Sequence, residues 1–432
     1  MIFRALSQRN RSLIGAVACI THLSALLLCP GLVSAQQVKM EPYLFHSQIE
    51  VNEQMNRFPT LKAEAFANIG AYWQADTTYV LEEETRRLAG EQVDPLTEEE
   101  LAYFQTFRVA DAISYLLERA ENEQIIILNE AHHRPEHRVF ASALLEGLAQ
   151  RGYAYLGLEA LTPNFDDPEA LGLDTSLNER GYPLNSRYTG NYTREPQFGL
   201  FIRQAINNGF HLFGYERNPS FQEMIRDSAE ALNVARILAR DPDARILLYC
   251  GYAHLVESNA VDPESNYGRS RWMASYLREL TGIDPLTVNQ EILTDRSPAA
   301  NSPYYPLIKS EKPAVLLNED GRVFNGGKRN DKFDLLVYHP PARLINGRPH
   351  WLYRDGAHRA YTIAPEQLTL NCPCQVRAYP ETEPELAVPV DIIEIDPDFR
   401  ENTLVLAPGQ YRLIIENLAG DRQTLQVEIA EE

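Results

Sequence analysis

Cysteine is scarce in this chain, and basic charge is outnumbered. Five cysteines occur in 432 residues, and Cys19 and Cys29 lie within the first 35. Cys250, Cys372 and Cys374 remain, too few for a domain held together by disulfides. Cys372-Pro373-Cys374 is too tightly spaced for an easy bridge and reads as two small loop residues near a turn rather than a metal site. Cys250 closes an apolar run and reads as buried. Lys and Arg total 40 against 60 Asp and Glu, a formal charge of −20, which argues against nucleic acid as a partner. No apolar run after residue 35 approaches membrane length, so no integral membrane segment is expected in the mature chain. A Gly-x-Ser-x-Gly elbow and a phosphate-cradling Gly-x-x-x-x-Gly-Lys loop are also missing. A typical serine esterase or nucleotide enzyme is therefore not supported.

What is present starts with an export signal. Arg4, Arg9 and Arg11 precede an apolar run from Leu13 to Leu28, and Val33-Ser34-Ala35 offers small residues where a signal peptidase cuts. The expectation is cleavage after Ala35 and a periplasmic or secreted protein. A membrane anchor is the rival reading, because Leu13 to Val33 almost spans a bilayer; His22, Pro30 and the small-residue site favour cleavage. Lipidation at Cys29 is disfavoured by Leu28, where a small residue is needed. Residues 1–35 hold three arginines and no acids, so their loss takes the charge to −23.

Residues 36–105 read as a helical covering segment, with Leu81–Leu88 and Thr97–Phe107 amphipathic and rich in glutamate. From 106 to about 345 the pattern alternates. The run Ile125-Ile126-Ile127-Leu128 has the character of a strand buried on both faces. A helix from about Ala110 to Ala120 precedes it, and a helix from Glu136 to Arg151 and a strand at Tyr155–Leu158 follow. Next come a helix from Pro196 to Asn208 and a strand at His211–Gly214. Ser220 and Glu223 form a capping box for a helix running to about Ala239, and a strand at Ile246–Tyr249 closes that unit. A helix from Ser270 to Leu280 and strands at Leu286–Asn289, Ala314–Leu317 and Phe333–Tyr338 complete the series. This order predicts an α/β domain with a largely parallel or mixed sheet and helices on both faces. Residues 346–432 read as a small antiparallel β module, with strands near Val390–Ile395, Thr403–Leu406, Tyr411–Ile415 and Thr424–Ile429 and a hairpin turn at Asn417–Arg422.

In a parallel sheet, ligands bind outside the carboxyl ends of the strands. Four successive strands end there in polar groups: Asn129-Glu130-Ala131-His132-His133, then Glu159, then Glu216-Arg217-Asn218, then Gly251-Tyr252-Ala253-His254. Imidazoles and carboxylates converging at one edge can run acid/base chemistry on water or bind a divalent metal. The candidate catalytic residues are Glu130, His132, Glu159, Arg226 and His254. The candidate metal ligands are His132, Glu159 and His254, for Zn, Mn or Co. Arg226, placed one and a half turns into its helix, is a candidate to hold a carboxylate or an oxyanion; each of these groups also has a plain role as an ion-pair or loop residue. His133-Arg134-Pro135-Glu136-His137 matches an inverted zinc-protease pattern, but Pro135 disfavours the continuous helix that the pattern needs. His137 is then expected on a helix surface.

Asn129-Glu130-Ala131-His132, Leu158-Glu159, Arg226-Asp227, Gly251-Tyr252-Ala253-His254-Leu255 and Phe333–Tyr338 resemble the superfamily that contains erythromycin esterases, ChaN-type haem-uptake proteins and the Tiki/TraB proteases. The resemblance spans roughly residues 110–340. Asn129 stands in place of the glycine in the first family motif, and asparagine is the next most tolerant residue for a left-handed turn. The resemblance implies a site of Glu130, His132, Glu159 and His254 with Arg226 nearby, but no single reaction. The leading expectation is a hydrolase acting on an ester or peptide bond of a small-molecule or peptide substrate. One alternative is a haem or iron-ligand binder with a ligand such as Tyr252; another is a non-catalytic surface protein that retains the fold.

Overall fold

The apolar run at Ile125 takes a central place in the sheet because its side chains, alternating in direction, find an apolar layer on each face. In the computed structural model, strand Ile125–Glu130 is buried along its whole length. The structure describes residues 38–88 (81–88 as backbone only), 95–164, 166–167, 170, 172–218, 224–258, 271–295, 302–328, 330–398 and 401–431. The expected export signal and the expected Ser220/Glu223 capping box lie outside the described residues.

The eight strands of the main sheet are β1 (Arg108–Asp111), β2 (Ile125–Glu130), β3 (Tyr153–Leu158), β4 (His211–Gly214), β5 (Arg245–Gly251), β6 (Leu286–Leu293), β7 (Ala314–Leu317) and β8 (Leu335–Tyr338). Their spatial order is β1-β7-β8-β6-β2-β5-β3-β4. From β8 to β4 all pairings are parallel, and β7 runs antiparallel to both β8 and β1. Five helices precede or flank β1: α1 (His46–Glu50), α2 (Glu53–Arg57), α3 (Pro59–Asn68), α4 (Tyr72–Leu88) and α5 (Glu98–Phe104). The later ones are α6 (Ala112–Arg119), α7 (Glu136–Gln150), α8 (Leu177–Arg180), α9 (Pro196–Asn207), α10 (Arg226–Arg240) and α11 (Met273–Thr281).

Alternate residues of β2 feed two separate cores. Ile126 and Leu128 pack with Leu144 and Leu145 of α7 and with Phe201 of α9, whereas Ile125 and Ile127 pack with Val234 of α10 and Leu277 of α11. Full burial of one such Ile or Leu is worth about 1.5–3 kcal/mol, so these two layers hold the strand in register and fix where its polar end emerges.

The C-terminal region forms β9 (Leu344–Ile345), β10 (Arg348–Pro349), β11 (Arg359–Thr362), β12 (Cys374–Pro380), β13 (Asp391–Ile395), β14 (Thr403–Leu406), β15 (Gly409–Asn417) and β16 (Arg422–Ile429). A four-stranded antiparallel sheet β13-β12-β15-β16 and the pair β11-β14 carry the expected β module. In this region β9, β10, β11 and β12 escape a pattern search, as β1 does in the main sheet. Cys374, read as a loop residue, opens the central strand β12; the alternating signal there is hidden because Gln375 and Arg377 are buried too, bonded to the Leu44 carbonyl and to Glu416. The helix expected from Ala110 starts at Ala112 instead: Arg108–Asp111 is strand β1, and Asp111 caps α6 by accepting from the Ser114 amide.

The segment before the sheet docks on that module. Phe66 and Ile69 share a core with Leu352, Ile392 and Val405. Gly70 lies at φ 72°, and a Cβ there would fall 2.0 Å from the Ile392 carbonyl oxygen, so only glycine allows this close approach.

Candidate functional site

The strand β2 ends in a buried ion cluster. Glu130 is 1% exposed and receives two bonds from Arg138, at 2.6 Å from Nε and 2.7 Å from one Nη. Its Oε1 also meets His132 Nδ1 at 2.9 Å. Arg138 projects from α7 and spends its remaining donors on the His132 carbonyl (2.7 Å) and on Glu195 (2.8 Å). Glu195 in turn caps α9 by accepting from the amides of Gln197 and Phe198. Burial raises the pKa of Glu130, but Arg138 and His132 outweigh it and bring the carboxyl down to about 2. His132 shows the converse balance: burial favours the neutral ring, yet the bond and charge of Glu130, helped by Glu159 and Glu64, raise its pKa above the ordinary value. The ring stacks on Tyr192 at 3.8 Å and meets the edge of Tyr252 at 4.9 Å.

A second cluster forms where β3 and β5 meet α10. Glu159 accepts the Gly251 amide at 2.5 Å and Arg226 Nη2 at 2.5 Å. Its other close neighbour is His254, with Nε2 3.6 Å away. His254 Nδ1 lies 2.7 Å from Asp227 and 3.1 Å from Glu230. Burial opposes charge on that ring, but Glu159, Asp227 and Glu230 together raise its pKa well above the ordinary range. Arg226 Nη1 stands 3.1 Å from His254 Nε2, a separation that suits a neutral imidazole. With His254 protonated the two cations repel, but Glu159, Glu216, Asp227 and Glu230 still leave two negative charges in excess around them. We favour the imidazolium for that reason. Arg226 is the first residue of α10, not one and a half turns inside it. Its donors go to Glu216 and Glu159, and Glu230 stands 2.9 Å from its Nε as an ion partner.

Gly251 joins the two clusters. A Cβ at this position would come within 2.4 Å of His132 Cε1, 2.6 Å of its Nε2 and 3.3 Å of Glu159 Oε2. The imidazole thus rests on the bare Cα of Gly251, beside the carboxylate that faces His254. His132 and Arg138 also line a cavity of about 380 Å³, covered by Met55, Glu64 and Asn68 of the N-terminal segment. Burial raises the Glu64 pKa, partly offset by His132 and Arg138.

All five residues singled out for catalysis therefore lie at the carboxyl edge of the sheet. The metal set expected from sequence combined His132, Glu159 and His254. Among the described residues, the group whose ligand atoms all fall within 4.8 Å of one another is Asp227, Glu230 and His254. Asn129 does not make a left-handed turn: it sits in β2, fully buried, donating to the Tyr252 carbonyl and accepting from the Gln290 amide. The left-handed residue at this edge is Tyr252, at φ 46°. His137 is also not a surface residue. It is wholly buried, with Nδ1 accepting from the Ala131 amide and Nε2 beside Thr294; α7 begins at Glu136, where the sequence places it, with Pro135 as its N-cap. Sequence reasoning missed Arg138, Glu195, Tyr192, Glu64 and Glu230. An arginine on the otherwise apolar face of α7 was the one available signal.

Fold and site together define a mixed α/β protein with a charged, two-histidine cluster at the carboxyl edge of its sheet. No family model matches the chain, and no curated protein matches it. Solved structures similar to parts of it include the type III effector HopBA1, 12% identical with a TM-score of 0.30, over 54% of this chain and 97% of that one. A structure described as bacterial protein toxins is 14% identical with a TM-score of 0.28, over 42% and 37%. ChaN of Campylobacter jejuni, described with cofacially bound haem, is 11% identical with a TM-score of 0.30, over 43% and 90%. At these scores the likeness assigns no function.

Proposed function

We propose that this chain is an exported hydrolase in which His132, oriented by Glu130, acts as general base toward water attacking an ester or peptide bond. The observation that carries the reading is His132 in the wall of the 380 Å³ cavity, paired behind that wall with Glu130, which Arg138 locks. Glu130 accepts the Nδ1 proton and leaves Nε2 as the basic nitrogen. Nε2 then takes a proton from water as its oxygen bonds to the acyl carbon, and returns that proton to the leaving alkoxide or amine as the acyl bond breaks. Glu159, held by the Gly251 amide and Arg226, and His254, held by Asp227, fix the floor on which His132 rests. Export rests on the pattern of residues 1–35.

The test is hydrolysis of a panel of activated esters and short peptides by the full chain, with and without exhaustive chelation. Turnover that survives chelation and is lost in His132→Ala supports the reading. Turnover that disappears on chelation and returns with Zn, Mn or Co would move the chemistry to Asp227, Glu230 and His254. Arg226 already supplies positive charge 2.9 Å from Glu230, so survival is the expected result. Haem binding through Tyr252 has less support, because burial holds that phenol protonated, its pKa well above the ordinary value. A Soret band shift on adding haem that is lost in Tyr252→Phe would favour it instead.

Two further outcomes follow from the same geometry. The base must be neutral, and its pKa is raised, so kcat/KM should climb with pH through a limb above 6.5. Glu130→Gln removes the main cause of the shift, and the limb should then move down; an unmoved limb would mean that another group titrates. Gly251→Ala should push the imidazole off its seat and lower kcat/KM by about 10²-fold. Unchanged kinetics in a folded Gly251→Ala protein would show that the placement of His132 does not matter.

A further inference from the structure

A second cavity, of about 520 Å³, shares no lining residue with the one at His132. Val139, Phe140 and Ala143 of α7, with Ile113 and Trp351, give it apolar lining, and His339, His358 and Arg354 are among its polar lining residues. The acidic groups in the wall are engaged: Glu136 with Arg134 at 3.0 Å, Glu311 with Arg343 at 2.6 Å and Asp355 with Lys312 at 3.6 Å. Among the described residues Arg354 has no such partner. Its Nη atoms donate to the amide oxygens of Gln204 (3.2 Å) and Gln197 (3.0 Å), and its buried Nε has no acceptor. Its backbone is left-handed, at φ 47° and ψ 53°, a conformation that costs an ordinary residue about 1–3 kcal/mol. His339 is 2% exposed, and its Nε2 also lacks a hydrogen-bond partner among the described residues.

Burial and nearby arginines bring His339 and His358 down to about 3. Both rings are neutral and can offer an N–H without adding charge. Burial lowers Arg354 to about 10, so it stays cationic at neutral pH. Glu195, the acid whose charge Arg354 feels, is bonded to Arg138, so the result is a guanidinium without an ion pair of its own that shares a largely apolar chamber of ligand size with unused donors. Backbone strain and a desolvated charge held at one point are features of binding sites.

We propose that this cavity binds a small organic carboxylate with an apolar body. The carboxylate meets Arg354 and the neutral imidazoles, and the body lies against Ile113, Phe140 and Trp351. A dianionic phosphate would bring two charges against one cation and is disfavoured.

The test is calorimetric titration of the full chain with decanoate, and with decanol as its uncharged counterpart. Decanoate should bind with one-to-one stoichiometry and at least tenfold more tightly than decanol. Arg354→Gln should erase that preference while leaving decanol binding unchanged. Equal binding of the two, or a preference that survives Arg354→Gln, would overturn the proposal. Should Arg354→Gln fail to fold, tryptophan fluorescence gives a second reading. Decanoate should change the emission of the native protein but not of Trp351→Phe; a change that persists in Trp351→Phe would place the ligand elsewhere and also overturn it.

Discussion

Arg138→Met is expected to destabilise the protein by about 3–5 kcal/mol, the loss typical when one member of a buried ion cluster is removed. Arg138 is 1% exposed and holds Glu130 and Glu195, which are also each 1% exposed. Methionine fills similar space and supplies none of the donors, so two carboxylates that stood against a guanidinium become buried charges without one. Each then either takes up a proton or draws in water. The effect should spread, because Glu195 caps α9 and accepts from Tyr72 of the N-terminal segment at 3.1 Å. Urea unfolding of the full chain measures it. Lys328→Met is the control: its partner Glu99 sits 2.8 Å away, but the two side chains are 50% and 77% exposed, and removing such a pair should cost less than about 1 kcal/mol. If the two substitutions cost the same, the cluster has no special place in stability.

The same contrast explains what could be read from the residues alone. The continuous apolar runs at Ile125 and Ile246, and the alternating ones near Thr403 and Thr424, carry their own periodicity, and each became a strand. The strand ends then located Glu130, His132, Glu159 and His254, because parallel β-structure brings those ends to one edge whatever the loops do. What could not be read was pairing across the fold. Glu195 lies 57 positions from Arg138 and Glu64 comes from the covering segment; no local pattern links them. Central strand β12 was hidden for a related reason, since the buried partners of Gln375 and Arg377 come from Leu44 and Glu416, on distant elements. Asn129 misled because a motif position was read as a turn when it is a strand residue whose amide ties β2 to the Tyr252 loop and to β6.

His132→Ala should separate chemistry from folding. The proposed base contributes about 10²–10⁴-fold in rate, so kcat/KM on any ester or peptide that the native chain hydrolyses should fall by that much. Stability should change by less than about 2 kcal/mol, which covers the ring stacked on Tyr192. The reason for the gap is that Glu130 does not depend on His132: two bonds from Arg138 still satisfy it when the imidazole is gone. His132 is thus the member of the cluster whose removal leaves no uncompensated buried charge, which suits a group kept for reactivity. Added imidazole should restore part of the rate, because truncation opens ring-sized space between Tyr192 and Gly251 on the wall of the existing cavity. Full turnover in His132→Ala would remove the residue from the mechanism. A stability loss as large as that of Arg138→Met would make it one more structural partner of Glu130, and the histidine at this edge would then be His254, whose ring is already enclosed by Asp227, Glu230 and Glu159.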